Sequence, residues 1–66
     1  MWVTINGQVR EVPDNLTVDA LVVHLGLVEG PVAVEINREI VTRARHAEHR
    51  VCSGDVVEIV HFVGGG

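Results

Sequence analysis

Trp2-Val3-Thr4-Ile5-Asn6-Gly7-Gln8-Val9-Arg10-Glu11-Val12 decides the reading, because two runs of alternating side-chain character meet at Asn6-Gly7. Successive side chains of a strand point to opposite faces, so each run fits a strand with one buried face. Asn-Gly supplies the two positive-φ residues that a type I′ turn needs, and that turn matches the twist of paired strands. The sequence therefore predicts a hairpin. Pro13-Asp14-Asn15 then breaks it. Downstream, Thr17 is placed to cap a helix, Asp19 falls in its electropositive first turn, and Leu16 can staple against Leu21. Val18, Leu21, Val22 and Leu25 recur at the spacing of one helical face, and Gly26 stands where a left-handed C′ residue belongs. The expected helix has about two turns.

Beyond the helix, Glu29-Gly30-Pro31 reads as a loop and Val32-Ala33-Val34-Glu35-Ile36 as a strand buried on at least one face. Asn37-Arg38 turns the chain into a short strand over 39–42. Residues 43–50 are polar and irregular, compatible with a single helical turn, and Ser53-Gly54-Asp55 is another turn. Val56 to Val63 is the longest expected strand. Within it Val57, Ile59, His61 and Val63 alternate onto one face, while Val56, Glu58, Val60 and Phe62 take the other. Glu58 does not belong in so small a core, so the second face should point outward. Val60 and Phe62 then form an exposed apolar docking patch beside the end of the chain, and Val63, at the start of the tail, is expected to join them in binding a partner. A bulge that folds Phe62 inward is the alternative.

The sequence closes on Val63-Gly64-Gly65-Gly66. Without Cβ atoms, such a segment can be gripped closely along its backbone while its carboxylate is carried into a narrow pocket. Four extended residues reach roughly 13 Å, enough to enter a buried site from a folded body. An ordinary frayed end is the competing reading of the glycines alone.

Composition limits what else the chain can be. Its 66 residues suit one domain, near the lower size at which a chain folds without staples. A hydrophobic fraction of 47% is ample for one core and unlike a disordered segment. No apolar run approaches the length of a membrane span, and no basic leader precedes the first strand; with the single Cys52, this leads us to expect a reducing, cytoplasmic setting. The formal charge is −4, with five Arg and no Lys, which argues against a nucleic-acid surface and favours a protein partner that is basic where the two meet.

A hairpin, one helix and further strands make an α+β layer in which a helix covers one face of a mixed sheet of four to five strands. A right-handed crossover through the helix should return the chain beside the first hairpin. Ile5-Asn6-Gly7, Leu16-Thr17-Val18, the run from Val32 to Val41, Ser53-Gly54-Asp55-Val56-Val57-Glu58-Ile59 and the terminal Gly65-Gly66 stand in the order found in the ubiquitin-like β-grasp sulfur carriers. Over essentially its whole length the chain resembles the ThiS-type carriers of thiamine biosynthesis. The resemblance implies a β-grasp domain over 1–62 and a flexible tail over 63–66. It further implies that Gly66 is the chain end, with its carboxylate as the reactive group and Gly64 and Gly65 threading it into place. A ubiquitin-activating-enzyme-like (ThiF-like) adenylyltransferase would adenylate Gly66, and a persulfide sulfur from a donor such as a cysteine desulfurase would replace the AMP. The resulting thiocarboxylate would feed a ThiG-like thiazole synthase. The chain is then a monomeric co-substrate that binds no cofactor of its own, ATP being used by its partner. The family usually has a larger residue, often Ala, at the position of Gly64, so a looser tail is expected here. A molybdopterin-type carrier and a ubiquitin-like modifier or interaction module are the alternatives; the former tends to place prolines before its final glycines, and His61-Phe62-Val63 has none.

The remaining chemistry-bearing residues read more plainly. Cys52 has no evident activating partner and is expected to pack in the core. His46 and His49 are three apart but lack a third ligand, so both are expected to be solvated, with no metal bound. His61 lies near the tail and could assist transfer, although a partner enzyme can supply that proton chemistry. His24 is expected on the exposed face of the helix.

Overall fold

The computed structural model describes residues 1–27 and 30–62. Strands β1 (Trp2–Ile5) and β2 (Gln8–Glu11) form the expected hairpin, with Ile5 opposite Gln8. Asn6 (φ 49°) and Gly7 (φ 82°) are both left-handed, as a type I′ turn requires. Helix α1 (Val18–His24) follows, capped by Thr17, whose Oγ1 accepts from the Ala20 amide at 3.2 Å. It ends in a Schellman motif: the Gly26 amide (φ 77°) donates to the Val23 carbonyl and the Leu27 amide to Val22. Seven residues would not hold a helix in water alone; packing of Val18, Leu21 and Val22 holds this one.

Strands β3 (Val32–Ile36) and β4 (Glu39–Val41) make a second hairpin through Asn37 (φ 51°) and Arg38 (φ 69°), again a pair of left-handed residues. A 3-10 turn over Arg43–Arg45 precedes the last strand, β5 (Val56–His61). Strand order is β2-β1-β5-β3-β4, with β5 parallel to β1 and antiparallel to β3. This five-stranded mixed sheet with one helix across it is a β-grasp fold. The crossover differs from expectation: the strand after the helix, β3, does not lie beside the first hairpin. β5 takes that place, because its alternating Val57 and Ile59 are the side chains that fill the sheet centre beneath α1, both fully or nearly buried. No helix among the described residues is long and apolar enough to cross a membrane.

Two asparagines fasten β5 into the sheet. The Asn6 side chain extends the β1 ladder by one rung, since Nδ2 donates to the Ile59 carbonyl at 3.0 Å and Oδ1 accepts from the Ile59 amide at 2.8 Å. On the opposite edge, Asn37 Oδ1 accepts from the Val56 amide and Nδ2 donates to Asp55 Oδ1. Both residues sit in left-handed turns, a conformation that asparagine tolerates better than most residues do.

Two side chains are corrected. His46 is not solvated but buried, with Nε2 at 2.9 Å from the Val41 carbonyl. Its segment wraps the start of α1, where the His46 and His49 carbonyls accept the Asp19 and Val18 amides, groups that a helix cannot satisfy internally. His49 is half-buried. Cys52 does not pack in the core; it is exposed, and the core position at this point belongs to its neighbour Val51. The Asp55 carboxylate accepts the Cys52 amide at 2.8 Å, which closes the turn before β5.

Asn6→Gly keeps the turn conformation and removes only the side-chain rung on Ile59. Two net hydrogen bonds of about 0.5–1.5 kcal/mol each set an expected loss of about 1–3 kcal/mol in chemical denaturation. A midpoint indistinguishable from that of the unaltered chain would contradict the clamp.

Candidate functional site

The pleat of β5 separates fold from surface. Val57 and Ile59 point into the core, whereas Val56, Glu58, Val60 and, just past the strand, Phe62 point outward; Val60 is 56% and Phe62 53% exposed. No bulge turns Phe62 inward. Strand register fills in the rest of this outer face. Ala33 lies opposite Val60, Glu35 opposite Glu58, and Ile40 opposite Glu35 on the far side; Thr4 lies opposite both Val56 and Val9. Trp2 and Ile40 are exposed, so α1 covers one side of the sheet and nothing among the described residues covers the other.

The end of β5 is held from one side. The Phe62 amide donates to the Pro31 carbonyl at 3.0 Å. Gly30 (φ 78°) lies so close that a Cβ added there would meet the Phe62 carbonyl oxygen at 2.5 Å. A side chain is therefore excluded by conformation and by space together, and the Gly30-Pro31 backbone fixes the position of Phe62. The sequence alone reads Gly30-Pro31 as a plain loop, because the positive φ of Gly30 and its approach to Phe62 have no signature in the local pattern. His61 is half-buried, with Nε2 within 3.9 Å of that added Cβ position. Val63, Gly64, Gly65 and Gly66, like Val28 and Glu29, lie outside the described residues.

The other candidates stand apart from this end. Cys52 precedes β5 and Phe62 follows it, so the six-residue strand puts about 20 Å between them. His46 is occupied in fastening the loop to α1, and His24 is exposed on the helix. Among the described residues there is no group of three or more His, Cys, Asp or Glu that could hold a metal ion.

Comparison with known proteins agrees with this geometry. The ThiS family model matches residues 3–66. Sulfur carrier protein ThiS of Bacillus subtilis is 43% identical over 63 residues, which are 94% of this chain and 96% of that protein. The chain belongs to the ThiS family. A crystal structure of the thiamine biosynthesis protein ThiS from Geobacter metallireducens superposes with a TM-score of 0.84 at 35% identity, covering all of both chains. A thiazole synthase of Paramagnetospirillum magneticum is 46% identical over 66 residues, all of this chain but 20% of that protein, so this chain spans about a fifth of that relative's length. A ThiS-like segment is thus also found within a larger thiazole synthase chain.

Gly30→Ala tests the anchoring of the strand end. The left-handed conformation and the clash with Phe62 should together lower stability by about 1–3 kcal/mol and shift the Phe62 amide resonance. An unchanged Phe62 resonance would show that Gly30 does not set the path of the chain.

Proposed function

We propose that this ThiS-family chain is a sulfur carrier of thiamine biosynthesis, consumed as a co-substrate and regenerated, with no turnover of its own. The observation that carries the reading is the family match, which runs through the body and on to Gly66. In this reading, 1–62 is the docking body and 63–66 the delivery segment. A carboxylate is a poor electrophile, so the Gly66 carboxylate first attacks the α-phosphorus of ATP on an adenylating enzyme and pyrophosphate leaves. The acyl adenylate then has a good leaving group. The terminal sulfur of a persulfide attacks the acyl carbon and AMP departs, leaving an acyl disulfide; a thiol then attacks the donor's sulfur, forms a disulfide with it, and the broken S–S bond releases the thiocarboxylate. That thiocarboxylate supplies sulfur to thiazole formation on a thiazole synthase.

Each part of the chain has a physical task in this sequence. Gly64 and Gly65 leave the backbone free of side chains where it must thread an enzyme channel. Phe62 is held by Pro31, which fixes the base of that segment, and Val60 and Phe62 present apolar surface beside it, with Val63 assigned to the same partner contact in this reading. The partners are an adenylyltransferase, a thiazole synthase and a persulfide donor such as a cysteine desulfurase.

Incubation with ATP, the cognate adenylating enzyme and a sulfur source should convert the terminal carboxylate of Gly66 to a thiocarboxylate, read by mass spectrometry of the C-terminal peptide. Gly65→Val should lower that conversion by at least about a hundredfold, equivalent to roughly 3 kcal/mol, with the denaturation midpoint unchanged. Sulfur found on Cys52, or conversion unaffected by Gly65→Val, would contradict the proposal.

The pleat gives a second expectation. Phe62→Ala and Val60→Ala should weaken enzyme binding by about 1–4 kcal/mol with little loss of stability. Val57→Ala and Ile59→Ala should cost about 1–4 kcal/mol of folding stability through lost burial. Titration and chemical denaturation separate the pairs, and equal destabilisation by Phe62→Ala and Ile59→Ala would overturn the division of faces.

A further inference from the structure

The centre of the open face carries a conflict. Glu35 and Glu58 are directly opposite across β3 and β5, and neither belongs to an ion pair among the described residues. Like charges in that arrangement oppose folding, and they lie where apolar side chains would otherwise complete the surface. Around them, Val60, Phe62 and Ala33 lie toward the tail, Ile40 lies beyond Glu35, and Val56 lies toward Trp2. The opposed pair lies at the middle of the face, between apolar side chains on both sides.

A cleft of about 350 Å³ opens beside Glu58, between it, Val56, Asn37 and Arg38. Arg38 lines this cleft without pairing with either carboxylate. Two carboxylates side by side match a guanidinium better than an ammonium, because arginine presents five donors in a planar fork and can serve both at once. An apolar surround excludes water from such a pair and strengthens it. The overall charge of −4 without a lysine adds long-range attraction of the same sign.

We propose that the outer sheet face, with Glu35 and Glu58 at its centre, docks on a thiazole synthase surface that presents an arginine ringed by apolar side chains. This rests on the sulfur-carrier reading for the identity of the partner. That choice follows from the Paramagnetospirillum thiazole synthase, in which a segment like this chain shares one polypeptide with a much longer remainder. The carboxylate pair is thus a specificity device: it costs stability in the free domain and is neutralised only by a partner with the right cation in register.

The test is a calorimetric titration of the thiazole synthase from the same genome with the full chain at low and moderate salt. Glu35→Gln/Glu58→Gln should weaken binding by about tenfold at low salt, abolish most of its salt dependence, and raise the denaturation midpoint of the free chain. Glu39→Gln/Glu48→Gln removes the same net charge away from the face and should change affinity less than twofold. Equal effects of the two double variants would reduce the face to bulk charge and overturn the proposal. So would an unchanged affinity in Glu35→Gln/Glu58→Gln, no binding by the unaltered chain, or a dependence seen with the adenylating enzyme in place of the synthase. Conversion of Gly66 to a thiocarboxylate, assayed separately, reports on the carrier reading and is independent of this outcome.

Discussion

Pairing of β5 along both of its edges is the constraint on which the molecule depends. The strand is parallel to β1 on one side and antiparallel to β3 on the other, so it joins two hairpins that are otherwise unconnected within the sheet. Only two residue pairs join β1 to β5 in register, a short seam for a parallel pairing. The Asn6 side chain adds a further rung at Ile59, and Asn37 fastens the start of the strand on the other edge. Both asparagines thus do two things: they permit left-handed turns and they supply amide groups that imitate backbone. A backbone group left unpaired inside the sheet would cost more than either bond contributes.

The same strand divides core from open surface by its pleat. Residues that fill the core and residues that face outward alternate one by one, so a surface can change without disturbing the packing beneath it. β5 also ends at a fixed contact, since the amide of Phe62, just past the strand, donates to the Pro31 carbonyl. A partner that recognises the open face therefore receives the C-terminal segment at a fixed starting point. The opposed Glu35 and Glu58 fit this division, because a choice unfavourable to the free domain lies on the face that folding does not use.

Local features were legible in the sequence wherever local chemistry determines them. Asn6-Gly7, the Thr17 cap, the Gly26 stop and the alternation from Val56 to Phe62 each have a signature within a few residues, and each appears in the structure. The place of β5 between β1 and β3 was not legible, because strand order is decided by contacts fifty residues apart. Neither were the burial of His46 and the exposure of Cys52. Residues 43–52 lack any hydrophobic period, and their positions follow from capping α1 and closing the turn at Asp55. Glu35 and Glu58 each read as ordinary strand residues; their opposition exists only once the register is known. Gly30 was likewise hidden, since its need for φ above zero comes from the approach of Phe62. The glycines at 64–66 suggested their chemistry only through likeness to a family.

The intact mass of the chain purified from its own cells, under conditions that preserve acyl sulfur, tests the central claim most directly. A carrier in use should show a population heavier by the difference between one sulfur and one oxygen atom, with the change confined to a peptide ending in Gly66. A chain found only with an unmodified terminus, or with Gly66 joined to the lysines of other proteins, would contradict it.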